Sequence, residues 1–191
     1  AHAGTMPMAR RKDALWAAAD FVLKARDSIN EQFFPGVVNC GQISIPNSAP
    51  NIVPATVRLM LEFRHGSDAR LDAMEQKLLN IAKACAQATA VALDIQHDST
   101  IKPVGLDADL LTVAEAAANT LGLSATRLLS FAGHDTQSIA SAGIPSALLF
   151  IPSVNGISHN PAEFSSDQDV INGAAMLLEM VGMLCEGQAQ R

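Results

Sequence analysis

The sequence lacks the residue patterns that mark several classes of protein. Its three cysteines, Cys40, Cys85 and Cys185, are too few and too scattered for a disulfide framework or a cysteine-rich zinc site. Cys85 and Cys185 fall in apolar helical patterns, which predicts buried thiols, and a reducing cytoplasm fits best. Basic residues are dispersed and the net charge is -6, so the wide basic face that nucleic acid requires is absent.

Signals for membrane insertion or secretion are also missing. No uninterrupted apolar run approaches the ~20 residues of a membrane span, and no basic region precedes an apolar stretch as in a signal peptide. The absence of an initiator methionine indicates a chain cut from something longer. Hydrophobic residues make up 49% of the chain and charged residues 17%, which is enough apolar material for a sizeable core.

Periodicity in the first half predicts two helices and three strands. Alternating apolar residues such as Leu59, Leu61 and Phe63 indicate a half-buried strand. The predicted order is helix 7–29, strand 37–45, strand 56–64, a helix from Asp68, and strand 90–97. One more strand before Ala1 would complete a ferredoxin-like split unit.

The pattern changes near residue 102, where we place a domain boundary between 1–102 and 103–191. The second half alternates helix and strand, which is typical of a parallel α/β layer. We predict helices 108–121 and 136–142, with strands 126–131 and 146–151, the latter a buried apolar run. Ser166 and Asp169 resemble a capping box. The last helix then carries an apolar stripe of Val170, Ala174, Leu177, Val181 and Leu184.

Two histidines lie in loops that follow predicted strands, where α/β proteins place their sites. His159 stands in a loop held by Gly156 and Pro161, and neutral imidazole is the commonest metal ligand. Ser158, Asn160 or Glu163 would orient its ring. His134 would donate a hydrogen bond to a substrate carbonyl or oxyanion, and Asp135 would cap the following helix. For His159 the role of an ordinary loop histidine stays open, and for His134 a role in capping the helix or packing the loop.

Arg64 ends a strand on its polar face. A planar guanidinium is suited to holding a carboxylate in two hydrogen bonds. The alternatives are a solvated charge or an ion pair with Glu62. His65 and His97, at predicted strand ends, are most simply solvated or supporting residues.

Five segments, in this order, resemble one family. The segment 1–8, Ala-His-Ala-Gly-Thr-Met-Pro-Met, is similar to the "AHAG-T-PM" motif of N-carbamoyl-L-amino-acid hydrolases, β-ureidopropionases and allantoate amidohydrolases, and 11–15 continues it. Segment 50–54 resembles the family's "N-x-IP" turn and 62–65 its "D-x-RH" strand end. Segments 132–136 and 156–163 resemble "AGHDA" and "G-x-SHNPxE". Each motif alone is weak, but the ordered set spans nearly the whole chain.

The resemblance implies a fold and a chemistry. The fold would be a ferredoxin-like lid and dimerisation domain followed by the C-terminal part of a mainly parallel α/β metal-hydrolase domain. Two divalent metals (zinc, manganese, nickel or cobalt) would bridge a water that attacks a carbamoyl or amide carbon. The protein would be a homodimer that acts on a small substrate carrying a carboxylate, and the few scattered cysteines favour a cytoplasmic location.

The same resemblance implies roles for individual residues. His159 would be a metal ligand, and His2 would steady the carbonyl or the tetrahedral intermediate, reaching across a dimer. Asn51 and Arg64 would hold the substrate carboxylate. His134 and Gly156 would also bind substrate.

One departure from the family keeps alternatives open. The sequence has no H-x-D pair and no Glu-Glu pair, and one histidine cannot hold two metals. The expected interpretation is therefore a fragment of an amidohydrolase that is inactive alone. An aminoacylase or dipeptidase of the same clan, or a non-catalytic lid and dimerisation module, stays open as an alternative from sequence.

Overall fold

The structure is a computed structural model, and it describes residues 1–189. The chain divides into two compact units, one spanning Ala1–Pro103 and one beginning at Val104. The architecture is mixed α/β, with a two-stranded antiparallel sheet in the first unit.

The first unit places two helices beside a hairpin-like sheet. Helix α1 is Ala14–Gln32, β1 is Val37–Ser44, β2 is Arg58–Arg64, and α2 is Asp68–Ala88. The predicted start of α1 at Pro7 was wrong, because Met8–Arg10 forms a separate 3-10 turn and Asp13 begins the helix as its N-cap. The Asp13 carboxylate accepts hydrogen bonds from the amides of Leu15 (3.0 Å) and Trp16 (3.4 Å) and so satisfies two of the free N–H groups.

The core of this unit lies between the helices and one face of the sheet. Its buried members come from α1, α2 and the turn after α1: Phe21, Ala25, Ile29, Phe33, Met74, Leu78 and Cys85. Leu59, Leu61 and Phe63 of β2 pack against it, as the alternation predicts. Cys85 is buried as expected, and burial together with the Asp20 carboxylate raises the pKa of its thiol.

The third predicted strand, 90–97, is absent from the structure. Helix α2 ends in a left-handed turn at Ala90 (φ 53°), and the Val91 amide donates back to the Ala86 carbonyl at 3.0 Å. The segment that follows has no strand neighbour among residues 1–189. An alternating sequence forms a strand only when another strand supplies the ladder partners, so the ferredoxin-like arrangement is not seen.

The second unit is built on two packed helices. Helix α3 is Ala108–Thr120, α4 is Asp135–Ser141 and α5 is Asp167–Ala189. Ala114 and Ala117 of α3 pack against Met180 of α5. The capping box is confirmed, because the Ser166 hydroxyl accepts from the Asp169 amide at 3.1 Å and donates to its carboxylate at 2.6 Å.

The two strands predicted in this unit are also wrong for the described residues. No residue from 104 to 189 lies in a β-strand. Residues 126–130 are exposed, with Leu128 73% accessible, and 146–149 are half-buried. Neither segment pairs with a strand in residues 1–189, and without a strand partner an apolar run forms no ladder. The mainly parallel sheet is therefore not seen among residues 104–189.

The predicted apolar stripe of α5 faces solvent. Val170, Leu177 and Val181 are each at least half exposed, whereas Met176, Met180 and Met183 pack on α3. Both stripes follow helical spacing, so periodicity alone did not choose between them. Cys185 lies on the exposed part of the helix, which corrects its predicted burial.

Helix α5 is long and apolar enough to cross a membrane by length and composition alone. The stretch Asp167–Gly187 has a mean hydropathy of 1.4 and is 6% buried. One such helix is weak evidence, since a core helix of a soluble protein passes the same test. The helix is apolar on average but holds no long uninterrupted apolar run, because Asn172 and Glu179 lie between its apolar residues.

Candidate functional site

The segment carrying His2 pairs with the loop carrying Asn51. His2 and Ile52 form an isolated antiparallel bridge. The Ala3 amide donates to the Asn51 carbonyl and the Val53 amide to the Ala1 carbonyl, both at 2.8 Å. These two motif segments thus lie side by side in the fold, although nearly 50 residues separate them in sequence. Both His2 and Asn51 are exposed.

The backbone fixes the hydrogen-bonding state of the His2 ring. The Gly4 amide donates to His2 Nδ1 at 3.0 Å, so Nδ1 is an acceptor and a neutral ring carries its proton on Nε2. A Cβ at position 4 would lie 3.2 Å from His2 Cε1, which is why glycine suits this turn. The exposed Nε2–H is then a donor suited to a carbonyl oxygen or an oxyanion.

Arg64 ends β2 and forms an ion pair with Glu62. Arg64 Nε donates to Glu62 Oε1 at 2.8 Å, and Nη2 donates to the same oxygen. Both side chains are about half exposed, and an exposed pair of this kind contributes about 0–1 kcal/mol.

His134 is the N-cap of α4, which corrects the expected cap at Asp135. Its Nδ1 accepts from the Thr136 amide at 3.2 Å. The Thr136 hydroxyl lies 3.0 Å from the same nitrogen, so Nδ1 is engaged within the first turn of α4. His134 is exposed, so its capping role leaves Nε2 able to contact a ligand.

His159 and Gly156 lie in one closed loop between residues 152 and 165. The Val154 amide donates to the Phe164 carbonyl at 2.8 Å, which joins the two ends of the loop. Gly156 has a φ of 64°, and a Cβ at this position would meet no atom within 4 Å. The left-handed backbone, and not a lack of space, is therefore what favours glycine there.

His159 itself adopts a left-handed backbone with φ 55°. The Glu163 carboxylate accepts the His159 amide at 2.9 Å, so Glu163 supports the backbone of this histidine, whereas the sequence suggested that it orients the ring. A non-glycine residue in this region is uncommon and costs of order 1 kcal/mol or more. The bond to Glu163 offsets part of that cost and presents the exposed imidazole.

The described residues do not assemble a metal site. Among residues 1–189 no three His, Cys, Asp or Glu side chains lie close enough to hold a metal ion. His159 therefore provides at most one ligand within this part of the chain, which does not fit the two-metal centre implied by the sequence motifs.

Sequence reasoning missed one contributor to the His2 segment. Arg11 was noted only as a continuation of the first motif, yet its guanidinium donates to the carbonyls of Ala3 and Met6. Both acceptors are backbone carbonyls, which are the same for every residue type, so the sequence could not reveal these contacts. The position of Arg11 just before a capped helix was the one available signal.

Comparison with known proteins agrees with this set of motifs. A family model described as peptidase family M20/M25/M40 matches residues 2–182. The chain belongs to this family.

Named relatives of this M20 chain act on amide bonds. It is 30% identical to the allantoate amidohydrolase of Escherichia coli over 96% of this chain and 44% of that protein. It is 31% identical to the N-carbamoyl-L-amino-acid amidohydrolase of Rhizobium meliloti, over 95% of this chain and 43% of the relative. The chain therefore spans less than half the length of these relatives.

The fold of this chain is also similar to that of a solved amidase. The hydantoinase/carbamoylase family amidase from Burkholderia ambifaria superposes with a TM-score of 0.87 at 31% identity. That match covers 95% of this chain and 43% of the amidase. Most of this chain thus has a counterpart in a longer amidase of the hydantoinase/carbamoylase family.

Proposed function

We propose that the complete protein hydrolyses a linear C–N amide or carbamoyl bond in a small substrate that carries a carboxylate. The substrate class is an N-carbamoyl amino acid, a ureido acid or allantoate. The observation that carries the proposal is the family match over residues 2–182, joined to relatives with these activities. The meeting of the His2 and Asn51 segments in the fold supports it.

The roles of the side chains follow from their available donors. His2 Nε2–H stabilises the carbonyl oxygen as negative charge develops on it, because Nδ1 is already held by the Gly4 amide. Asn51 and Arg64 bind the substrate carboxylate, with the substrate displacing Glu62 from the guanidinium. His134 Nε2 and the loop at Gly156 provide further substrate contacts.

The proposal includes two divalent metal ions, zinc, manganese, nickel or cobalt, with His159 as one ligand. Such ions polarise a carbonyl and lower the pKa of bound water. The other ligands would come from residues outside this sequence, because residues 1–189 hold no cluster of three ligands. In the complete protein the apolar segments 126–131 and 146–151 would gain strand neighbours, the first unit would serve as a lid and dimerisation domain, and the enzyme would be a cytoplasmic homodimer.

Substrate profiling tests this function. Complete protein loaded with each metal is assayed for ammonia release from N-carbamoyl amino acids, β-ureido acids and allantoate, and for cleavage of N-acyl amino acids and dipeptides. We expect activity in the first group. Activity confined to the second group would indicate an aminoacylase or dipeptidase, and inactivity towards both with no bound metal would indicate a non-catalytic module.

Replacement of His2 separates a role in catalysis from one in binding. We expect His2→Ala to lower kcat by about 100- to 1,000-fold, which is the usual effect of losing one oxyanion donor, with a smaller change in KM. His97→Ala, on the exposed segment after α2, is the matched control and should behave as wild type. An unchanged kcat in His2→Ala would remove His2 from the mechanism.

A further inference from the structure

Arg11 contacts the turn that follows His2 at two points. Its Nε donates to the Met6 carbonyl at 3.1 Å, and its Nη2 donates to the Ala3 carbonyl. Arg11 is half-buried. Its charge is therefore directed into the backbone of this turn and is partly removed from solvent.

One peptide group links Arg11 to the His2 ring. The Ala3 carbonyl, which accepts from Arg11, and the Gly4 amide, which donates to His2 Nδ1 at 3.0 Å, belong to the same peptide unit. A cation bound at the oxygen polarises the peptide and strengthens its N–H as a donor. The hydrogen bonds therefore run from the guanidinium through the peptide to the imidazole.

Two backbone hydrogen bonds to the loop 51–54 support this chain of hydrogen bonds. The Ala3 amide donates to the Asn51 carbonyl at 2.8 Å, so the residue that accepts from Arg11 is also fixed to the Asn51 loop. The Ala14 amide at the start of α1 donates to the Pro54 carbonyl at 3.1 Å. Helix α1, Arg11, the His2 turn and the loop 51–54 thus form one hydrogen-bonded assembly.

We propose that Arg11 is a positioning residue that orients the His2 imidazole through the Ala3–Gly4 peptide and keeps its proton on Nε2. This inference rests on the proposed function for the role of His2, but the geometry does not depend on it. Arginine suits the position because its fork of donors reaches two carbonyls at once, whereas lysine offers a single point charge. Loss of the contact would free the Ala3–Gly4 peptide to rotate and release Nδ1.

The tautomer of His2 gives a readout that needs no catalysis. In ¹⁵N-histidine-labelled protein, two-bond ¹⁵N–¹H spectra distinguish a protonated ring nitrogen from an acceptor, and His2→Gln assigns the signal. At a pH where imidazole is neutral we expect wild type to show Nδ1 as the acceptor and Nε2 as the protonated nitrogen. Arg11→Ala should show a mixture of both tautomers.

Two further variants control this measurement. Arg10→Ala removes a neighbouring exposed arginine and should leave the His2 signals unchanged. If Arg11→Ala unfolds, Arg11→Lys serves as the test variant. Lysine keeps the positive charge but lacks the fork of donors, so the His2 signals should show a smaller population of the second tautomer than expected for Arg11→Ala. His2 signals identical to wild type in every folded Arg11 variant would overturn the proposal.

Kinetics of the complete protein test the consequence for catalysis. We expect Arg11→Ala to lower kcat by up to about 100-fold, as misplacement of one group by about 1 Å can do, while KM changes less because Asn51 and Arg64 remain. Arg11→Lys should restore part of the rate. A kcat equal to wild type would overturn the positioning role. Inactive wild-type protein would refute the proposed function, and the spectra would still decide the role of Arg11.

Discussion

Burial of a single ring nitrogen makes His65 a source of pH-dependent stability. Its Nδ1 accepts from the Ser67 amide at 3.1 Å, and its buried Nε2 has no hydrogen-bond partner among the described residues. Burial, followed by the nearby Arg70 charge, lowers the pKa of His65 below its usual value. The neutral ring is thus favoured in the folded state.

We predict that His65 reduces stability as the pH falls. The unfolded chain binds a proton near the ordinary histidine pKa of about 6.5, while the folded protein resists protonation, so stability present above that pH is lost as the pH falls towards the folded pKa. His65→Asn can accept the Ser67 amide through Oδ1 and does not titrate. Its free energy of unfolding should therefore fall less than that of wild type between about pH 7.5 and 5.

Denaturant unfolding of both proteins at a series of pH values measures this difference. Carboxylates titrate equally in both proteins, so the difference between the two free energies of unfolding at each pH isolates the contribution of His65. Parallel stability curves for wild type and His65→Asn would show that the ring titrates alike in the folded and unfolded states.

The residues of the site show what a sequence reveals at this scale. The motifs named His2, Asn51, Arg64, His134, Gly156 and His159 as candidates, but they did not give the contacts of these residues. For Arg64 the sequence left open a solvated charge or an ion pair with Glu62, and the structure has the ion pair. For His134 it left open a helix cap or loop packing, and the structure has the cap. Arg11 acts through backbone carbonyls, and backbone atoms are the same for every residue type.

Elements with their own local partners could be predicted, and those that need distant partners could not. The helices lie close to their predicted positions, apart from the start of α1, because their hydrogen bonds form within one segment. Segments 90–97, 126–131 and 146–151 have strand-like patterns but no ladder partner in residues 1–189. The start of α1 was misplaced because an early proline is compatible with a helix, while the cap that defines the start is Asp13.

We predict that the Asp13 cap stabilises the first unit measurably. The carboxylate is 6% exposed and accepts two amides of the first turn of α1. Asp13→Ala should lower the free energy of unfolding by about 0.5–2 kcal/mol. Asp13→Asn keeps an acceptor oxygen and should lose less.

Chemical denaturation followed by far-UV circular dichroism measures both variants. Asp27→Ala is a useful control because Asp27 lies on the same helix and pairs with Arg26 on the surface, where the expected change is about 0.5 kcal/mol or less. Equal losses in Asp13→Ala and Asp27→Ala would mean that the cap contributes no more than a surface ion pair.

At the scale of the whole molecule, much of the apolar surface of the second unit is open to solvent. Leu177 and Leu178 of α5 are 57% and 75% exposed. Leu128 and Phe150, in the segments predicted as strands, are 73% and 58% exposed. Exposed apolar surface of this extent marks an interaction surface or a tendency to associate, so the isolated chain is expected to self-associate as its concentration rises.

The two stripes of α5 give a direct test of this arrangement. Leu177→Lys combined with Leu178→Lys should reduce self-association, measured by sedimentation velocity across a concentration series, and should change the free energy of unfolding by only about 0.5 kcal/mol. Met180→Ala, on the stripe that packs against Ala114 and Ala117, should cost about 2–5 kcal/mol. If the double lysine variant were the more destabilised of the two, the side of α5 that carries Leu177 and Leu178 would be the buried face. The mutational ranking therefore decides which side of α5 meets α3, because only burial gives a methionine or a leucine its full stabilising effect.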